Sequence, residues 1–232
     1  MGEKMDRRAV IGGGALLVGA GAMVAPGGAG AQAASGYVPA TEANDAWYAK
    51  GAHRHRMVFD TASAEQGASA VAYANNCFYA TKVGYGLGPE TLGMIIILRH
   101  GSTTLGYNDA MWRKYGRAFA KQMKLEGDDA IRAVGGNPWL VNPADAPPPP
   151  KGMEFTGEAT LSALAAKGTR FAICELATMG IAMALAGATK GDMKAIQAEL
   201  IANLIPGGVM VPAGIIAVGH AQDYGYRLAV VE

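Results

Sequence analysis

The stretch Gly93-Met94-Ile95-Ile96-Ile97-Leu98 decides the fold of this 232-residue chain. It contains no polar side chain, so it lacks the apolar and polar alternation of a half-exposed strand. This pattern is typical of a parallel strand in the middle of a sheet, because helices cover both of its faces. The stretch therefore predicts an α/β protein.

Strand-like and helix-like segments alternate on both sides of this stretch. The other strands are predicted at His55–Asp60, Phe171–Cys174, Gly208–Pro212 and Arg227–Val231. Helices are predicted from a cap at Thr61 or Ser63 to the glycines near Gly84, at Tyr107–Leu125, Thr160–Lys167 and Thr178–Ala186, from Asp192 through Leu204, and at Ala213–Tyr224. The alternation predicts a three-layer α/β sandwich with a mainly parallel sheet.

The first 33 residues have the pattern of a twin-arginine export signal. Arg7 and Arg8 precede a weakly apolar stretch rich in Gly and Ala, and Ala31-Gln32-Ala33 offers a cleavage site. The pattern predicts cleavage and a periplasmic location, with an uncleaved membrane anchor as the alternative. Residues 34–52 then form an N-terminal arm, and residues 53–232 form a single domain with an insertion at about 102–157.

The charge balance argues against nucleic acid as a partner. The whole chain has 20 basic and 19 acidic residues, and residues 1–33 hold three and two of these, so the rest has 17 of each. No basic run or stripe remains after the signal, and nucleic-acid binding usually needs one. Apart from the signal, no stretch is long enough to span a membrane, so no membrane contact is expected after cleavage.

Cys174 ends a short apolar strand and precedes a helix-like segment. In open α/β sheets ligands bind at the carboxyl ends of the strands, so this position would present the thiol at the binding edge. The N–H groups of the next helix favour a thiolate, whereas the adjacent Glu175 opposes it. Cys174 is therefore either a reactive thiol or a small buried apolar residue. A disulfide with Cys77 is not expected, because Cys77 lies roughly 18 Å along the first helix.

The segments LAAKGTRFAIC (164–174), LIPGGVMVPAG (204–214) and QDYGY (222–226) follow one another in the second half. Together with the strand at 55–60, the helix around Asn75 and the strand that ends in His100-Gly101, they resemble the DsrE/DsrF-like family. The resemblance covers roughly residues 53–101 and 158–231 and leaves the insertion outside. It implies a compact α/β sandwich that forms homo-oligomers. Some members relay sulfur through a persulfide on a cysteine whose position matches Cys174.

The remaining candidate residues lie at the sheet edge, in the insertion and among the other histidines. His100 directly follows the central strand and either moves protons for the thiol or bonds a loop carbonyl. The insertion contributes polar and aromatic residues that either line a lid over the sheet edge or pack between subunits, namely Asn108, Asp109, Trp112, Arg113 and Tyr115. His53 and His55 are a weak metal signal.

The favoured interpretation is an exported DsrE-like protein in which Cys174 transfers sulfur, with no bound organic cofactor or metal. Its partners would be a sulfur donor or acceptor protein and further copies of the chain, and its activity would at most be sulfur transfer. The alternative is a non-catalytic oligomeric module that binds a small ligand or a protein between the insertion and the sheet edge. A metal-binding role through the histidines ranks third.

Overall fold

The computed structural model describes residues 42–142, 144, 146 and 148–232, without the side chains of residues 128, 129 and 131. The predicted signal peptide at residues 1–33 and the first part of the arm lie outside the described residues. No helix in the described part of the chain combines the length and the apolar character that a membrane span requires.

A parallel sheet forms the centre of the fold, and five strands of it lie in the described residues. They are β1 (His55–Thr61), β2 (Leu92–Leu98), β3 (Arg170–Cys174), β4 (Gly208–Val211) and β5 (Arg227–Ala229), in the spatial order β4-β3-β2-β1-β5. All neighbouring strands are parallel. Every residue of β2 is buried, as expected for a strand with both faces covered. The predicted α/β class and the parallel sheet are confirmed.

Most of the helices cover one face of the sheet, and this face carries the larger hydrophobic core. The helices on this side are α1 (Ala64–Tyr85), α2 (Asp109–Met123), α3 (Gly127–Arg132), α4 (Leu161–Ala166), α5 (Glu175–Thr189) and α6 (Met193–Ala202). Several of them begin at polar N-caps. The side chains of Ser63, Thr160 and Asp192 each accept a hydrogen bond from a backbone N–H in the first turn.

Two elements cover the opposite face. The 3₁₀ helix Ala43–Ala49 brings Trp47 and Tyr48 onto the sheet, and α7 (Gly214–Asp223) packs Ala217 and Ala221 beside them. The 3₁₀ helix lies within the segment that the sequence predicts as an extended arm or a partial helix. With helices on both faces, the architecture has three layers.

Residues of the predicted insertion contribute to the larger core. Trp112 is fully buried, and its Nε1 donates a hydrogen bond of 3.0 Å to the carbonyl oxygen of Thr104. The side-chain amide of Asn137 donates to the carbonyl oxygens of Leu105 and Tyr107 at 2.9 and 2.8 Å. These bonds tie α2 and the following loop to the segment that leaves β2.

The connections that follow β3 and β4 run to opposite faces of the sheet. β3 leads into α5 on the larger-core side, and β4 leads into α7 on the other side. In parallel α/β sheets a crevice opens at the carboxyl ends of two such strands, and ligands bind there. Cys174 and Val211, which are register partners, stand at this point.

Candidate functional site

Cys174 is at once the last residue of β3 and the N-cap of α5. Its Sγ accepts a hydrogen bond of 3.4 Å from the backbone N–H of Ala177, and its carbonyl oxygen accepts one of 2.9 Å from the Thr178 hydroxyl. The residue is 5% exposed. The sulfur therefore replaces the oxygen that Ser, Thr, Asp or Asn usually supplies to the first turn of a helix.

Arg99 lies beside Cys174 on the neighbouring strand. Leu98 pairs with Ile173, so the residue that follows each of them is the next cross-strand neighbour. Asp60 holds the Arg99 guanidinium in a bidentate pair, with Nε–Oδ1 and Nη2–Oδ2 distances of 2.7 and 2.9 Å. The hydrogen bond to Asp60 raises the pKa of Arg99, and negative charge on Cys174 acts in the same direction.

The start of α7 packs closely against Arg99. A Cβ atom on Gly214 would lie 2.6 Å from Arg99 Cβ, so only glycine allows this approach without a shift. The N-cap residue of α7, Ala213, makes no side-chain capping hydrogen bond. The switch point thus brings together the first turns of two helices, the Arg99–Asp60 pair and the Cys174 sulfur.

Tyr107 approaches Cys174 from the larger-core side. Its hydroxyl donates a hydrogen bond of 2.8 Å to Thr178 Oγ1, and the Thr178 hydroxyl donates in turn to the Cys174 carbonyl oxygen. Burial raises the pKa of Tyr107 well above its ordinary value, and Cys174 adds to the rise. Tyr107 is therefore a neutral group that fixes the strand end.

His100 lies in a groove and makes no hydrogen bond with the Cys174 thiol. The groove has a volume of about 760 Å³ and runs between α2 and α5, with Phe119, Ile181 and Leu185 in its walls. His100 is exposed and has a φ of 49°, and its imidazole makes no hydrogen bond with any residue that the structure describes. Cys174 is not among the residues that line this groove.

The polar candidates of the insertion have structural partners. Asn108 is the N-cap of α2, and its side chain accepts from the N–H groups of Ala110 and Met111. Asp109 accepts a hydrogen bond of 2.9 Å from the Asn137 backbone N–H and lies 4.0 Å from the exposed Arg113.

The remaining candidates are distributed over the fold. Trp112 and Tyr115 belong to the core, and the Tyr115 hydroxyl donates to Glu199 at 2.8 Å. Glu175 is the half-buried first residue of α5. Cys77 and Cys174 are both free thiols, and burial raises the pKa of Cys77.

Of the other three histidines, His53 and His220 have side-chain partners, and His55 is the exposed first residue of β1. His53 Nδ1 bonds the carbonyl oxygen of Glu90 at 3.0 Å, and His220 Nδ1 lies 2.6 Å from an Asp45 carboxylate oxygen. Among the residues described, no group of three His, Cys, Asp or Glu side chains is placed to hold a metal ion.

Sequence reasoning missed Arg99, although its position carries a signal. Arg99 directly follows the strongest predicted strand, as Cys174 ends the next strand along the chain. The carboxyl ends of parallel strands lie at the same edge of a sheet. If β2 and β3 are neighbours, Arg99 and Cys174 therefore lie close together. His100, the predicted partner, is the next residue along the chain and lines the groove between α2 and α5.

Comparisons of this chain with protein-family models, with curated proteins and with solved structures gave no match. The resemblance to DsrE/DsrF-like proteins therefore stays a prediction.

Proposed function

We propose that this protein is an exported, DsrE-like sulfur carrier, homo-oligomeric and periplasmic, in which Cys174 holds a persulfide. One observation carries the proposal. The Cys174 sulfur accepts the Ala177 N–H at the start of α5, beside Arg99, at the switch point of the sheet.

The sulfur lies beside backbone N–H groups and a guanidinium. The first turn of a helix presents unpaired N–H groups and the positive end of the helix dipole. Arg99 adds a guanidinium on the neighbouring strand, and the Asp60 carboxylate holds it in place while balancing part of its charge. Nucleophilic cysteines are found in electropositive, partly exposed surroundings; Cys174 meets the first condition but is only 5% exposed.

The proposed transfer needs no external oxidant or reductant. The Cys174 thiolate attacks the outer sulfur of a donor persulfide, so that a new S–S bond forms while the donor's S–S bond breaks and its thiolate leaves. An acceptor thiolate then attacks the outer sulfur on Cys174, and the Cys174 thiolate leaves. Arg99 stabilises the anionic forms, and His100 exchanges protons with solvent at the same edge.

Intact-mass spectrometry after treatment with inorganic polysulfide tests the proposal. The expected result is a gain of one sulfur atom that dithiothreitol removes, in the wild type and in Cys77→Ser but not in Cys174→Ser. Cys77 is the more exposed of the two thiols. A reaction that depended on exposure alone would therefore modify Cys77 and not Cys174. An adduct that depends on Cys77, or none under native conditions, would contradict the proposal.

The groove between α2 and α5 favours a second candidate function, that of a ligand-binding module. It lies between the insertion and the sheet edge, its walls are mainly apolar, and His100 lies in its lining with a left-handed backbone. Such strained residues concentrate at binding sites. The test is titration with an anilinonaphthalene sulfonate dye. Replacing the exposed Ala184 by Trp should fill the groove and abolish dye binding, and undiminished binding would exclude the groove.

A further inference from the structure

A second cleft opens at the opposite edge of the sheet, where the strands begin. It has a volume of about 410 Å³ and is lined by the first residues of β2 and β3, by the 3₁₀ helix Ala43–Ala49 and by the turn before β5. Small-molecule sites generally occupy about 300–1,000 Å³, so the cleft is large enough for a compact ligand. It is separate from the switch point that holds Cys174.

Two positively charged residues line this cleft. Among the described residues, Lys50 and Arg170 line it and no Asp or Glu does. The side chains of Lys50 and Arg170 make no hydrogen bond or ion pair with any residue that the structure describes. Residues 34–232 have equal numbers of basic and acidic side chains, so the imbalance is local. It favours an anionic ligand.

Thr169 adds a polar group without a partner. It lines the cleft and is 1% exposed, and among the described residues its Oγ1 has no hydrogen-bond partner. Buried hydroxyls are almost always hydrogen-bonded, because an unpaired one loses its bond to water on folding. A ligand that reaches Thr169 would supply the missing bond.

Two aromatic side chains form fixed walls. Trp47 stacks on Tyr48 with ring centroids 3.8 Å apart, and the Tyr226 hydroxyl donates a hydrogen bond of 3.1 Å to the Tyr48 carbonyl oxygen. Arg56 lies 5.7 Å from the Tyr226 ring centroid and donates a hydrogen bond of 2.7 Å to the Tyr224 carbonyl oxygen. Rings held in this way offer faces on which a planar group can stack.

His53 closes one side of the cleft with the help of glycines. A Cβ on Gly93 would lie 2.7 Å from the His53 ring, and a Cβ on Gly51 would also overlap it. The bond from His53 Nδ1 to Glu90 fixes the ring in this position. The wall is therefore formed before any ligand arrives.

We propose that this cleft is a binding site for a small organic anion that carries a planar ring. Lys50 and Arg170 bind the anionic group, Thr169 makes a hydrogen bond with it, and the ring stacks between Trp47 and Tyr226. The site does not depend on the chemistry of Cys174, and Cys174→Ser leaves it unchanged.

Isothermal titration calorimetry with four probes tests the site on the protein with an intact thiol. The probes are adenosine monophosphate, benzoate, inorganic phosphate and adenosine. We expect one site per chain for at least one of the first two, and at least tenfold weaker binding for phosphate and adenosine. The better of the first two probes identifies the anion as a phosphate or a carboxylate.

Amino-acid substitutions test whether the probes bind in this cleft. Arg170→Gln and Lys50→Gln should each weaken it at least fivefold, and Thr169→Val should weaken it without loss of thermal stability. Arg227→Gln is the matched control, because Arg227 is an exposed cation at the same edge that does not line this cleft. Three results overturn the proposal: no heat with either organic anion, phosphate binding as tight as theirs, or equal affinity in Arg170→Gln and Arg227→Gln.

Discussion

Replacing Gly116 by Ala should destabilise the protein, although Ala is normally the better helix residue. Gly116 lies in the middle of α2 and is buried. A Cβ there would lie 2.8 Å from the Ala133 carbonyl carbon and closer still to its oxygen. Ordinary contact begins at 3.4 Å, so the carbonyl carbon must move by at least 0.6 Å.

The magnitude follows from two opposing terms. Ala gains about 1 kcal/mol of helix propensity over Gly. Forcing an extra carbon into a packed site costs about 1–3 kcal/mol, and the upper part of this range, about 2–3 kcal/mol, applies here because the obstacle is backbone rather than a flexible side chain. Gly116→Ala should therefore lower the free energy of unfolding by about 1–2 kcal/mol. The matched control is Gly180→Ala in α5, where a Cβ meets nothing within 4 Å and stability should rise by up to about 1 kcal/mol.

Urea denaturation followed by far-UV circular dichroism measures both changes. The two variants should differ by about 1–3 kcal/mol, which on thermal melts separates them by about 2–12 °C, at about 2–4 °C per kcal/mol for a domain of this size. Equal stability of the two variants would refute the reasoning, since it would mean that α2 does not pack against the Ala133 backbone.

Three further predictions concern His100, Thr169 and the Lys114–Glu199 pair. His100→Gly should raise the free energy of unfolding by about 0.5 kcal/mol, because glycine adopts the φ of 49° without strain; a loss of stability in urea denaturation would contradict this. Thr169→Val should raise it by about 1 kcal/mol in ligand-free protein, because no unpaired hydroxyl stays buried; a lower melting temperature would show that the hydroxyl has a partner. Hydrogen bonding to Lys114 lowers the pKa of Glu199, so this pair should contribute a few tenths of a kcal/mol above about pH 4.5 and lose it as the pH falls through the folded-state pKa. Denaturation at a series of pH values should show a shallower acid dependence in Lys114→Met, and unchanged dependence would rule out the pair as its source.

The sheet was predictable because its strands carry strong local patterns. β2 is uniformly apolar, and the structure extends it only from Gly93 back to Leu92. The start of α5 was harder to predict from the sequence. The predicted segment begins at Thr178 and the helix at Glu175, because the sulfur of Cys174 acts as the cap and cysteine is not a usual cap residue.

Other features depend on contacts between distant parts of the chain. The 3₁₀ helix Ala43–Ala49 is held by Tyr48, whose hydroxyl bonds the Ala217 carbonyl oxygen 169 residues away at 3.4 Å. No pattern within residues 34–52 predicts that contact. Likewise, the neighbourhood of Cys174 and Arg99 follows from strand order, and a single sequence does not specify strand order.

The position of β5 has a consequence for the time course of folding. β5 completes the sheet beside β1, and its partner residues Met57 and Arg227 are separated by 170 positions in the chain. Pairs so distant in sequence close late, because a long loop must be ordered before the contact stabilises anything. During synthesis, the outer edge of β1 stays unpaired until residues 227–229 have left the ribosome. For that interval, β1 exposes backbone donors and acceptors to any other extended chain, so this edge is where misassembly of nascent chains would begin.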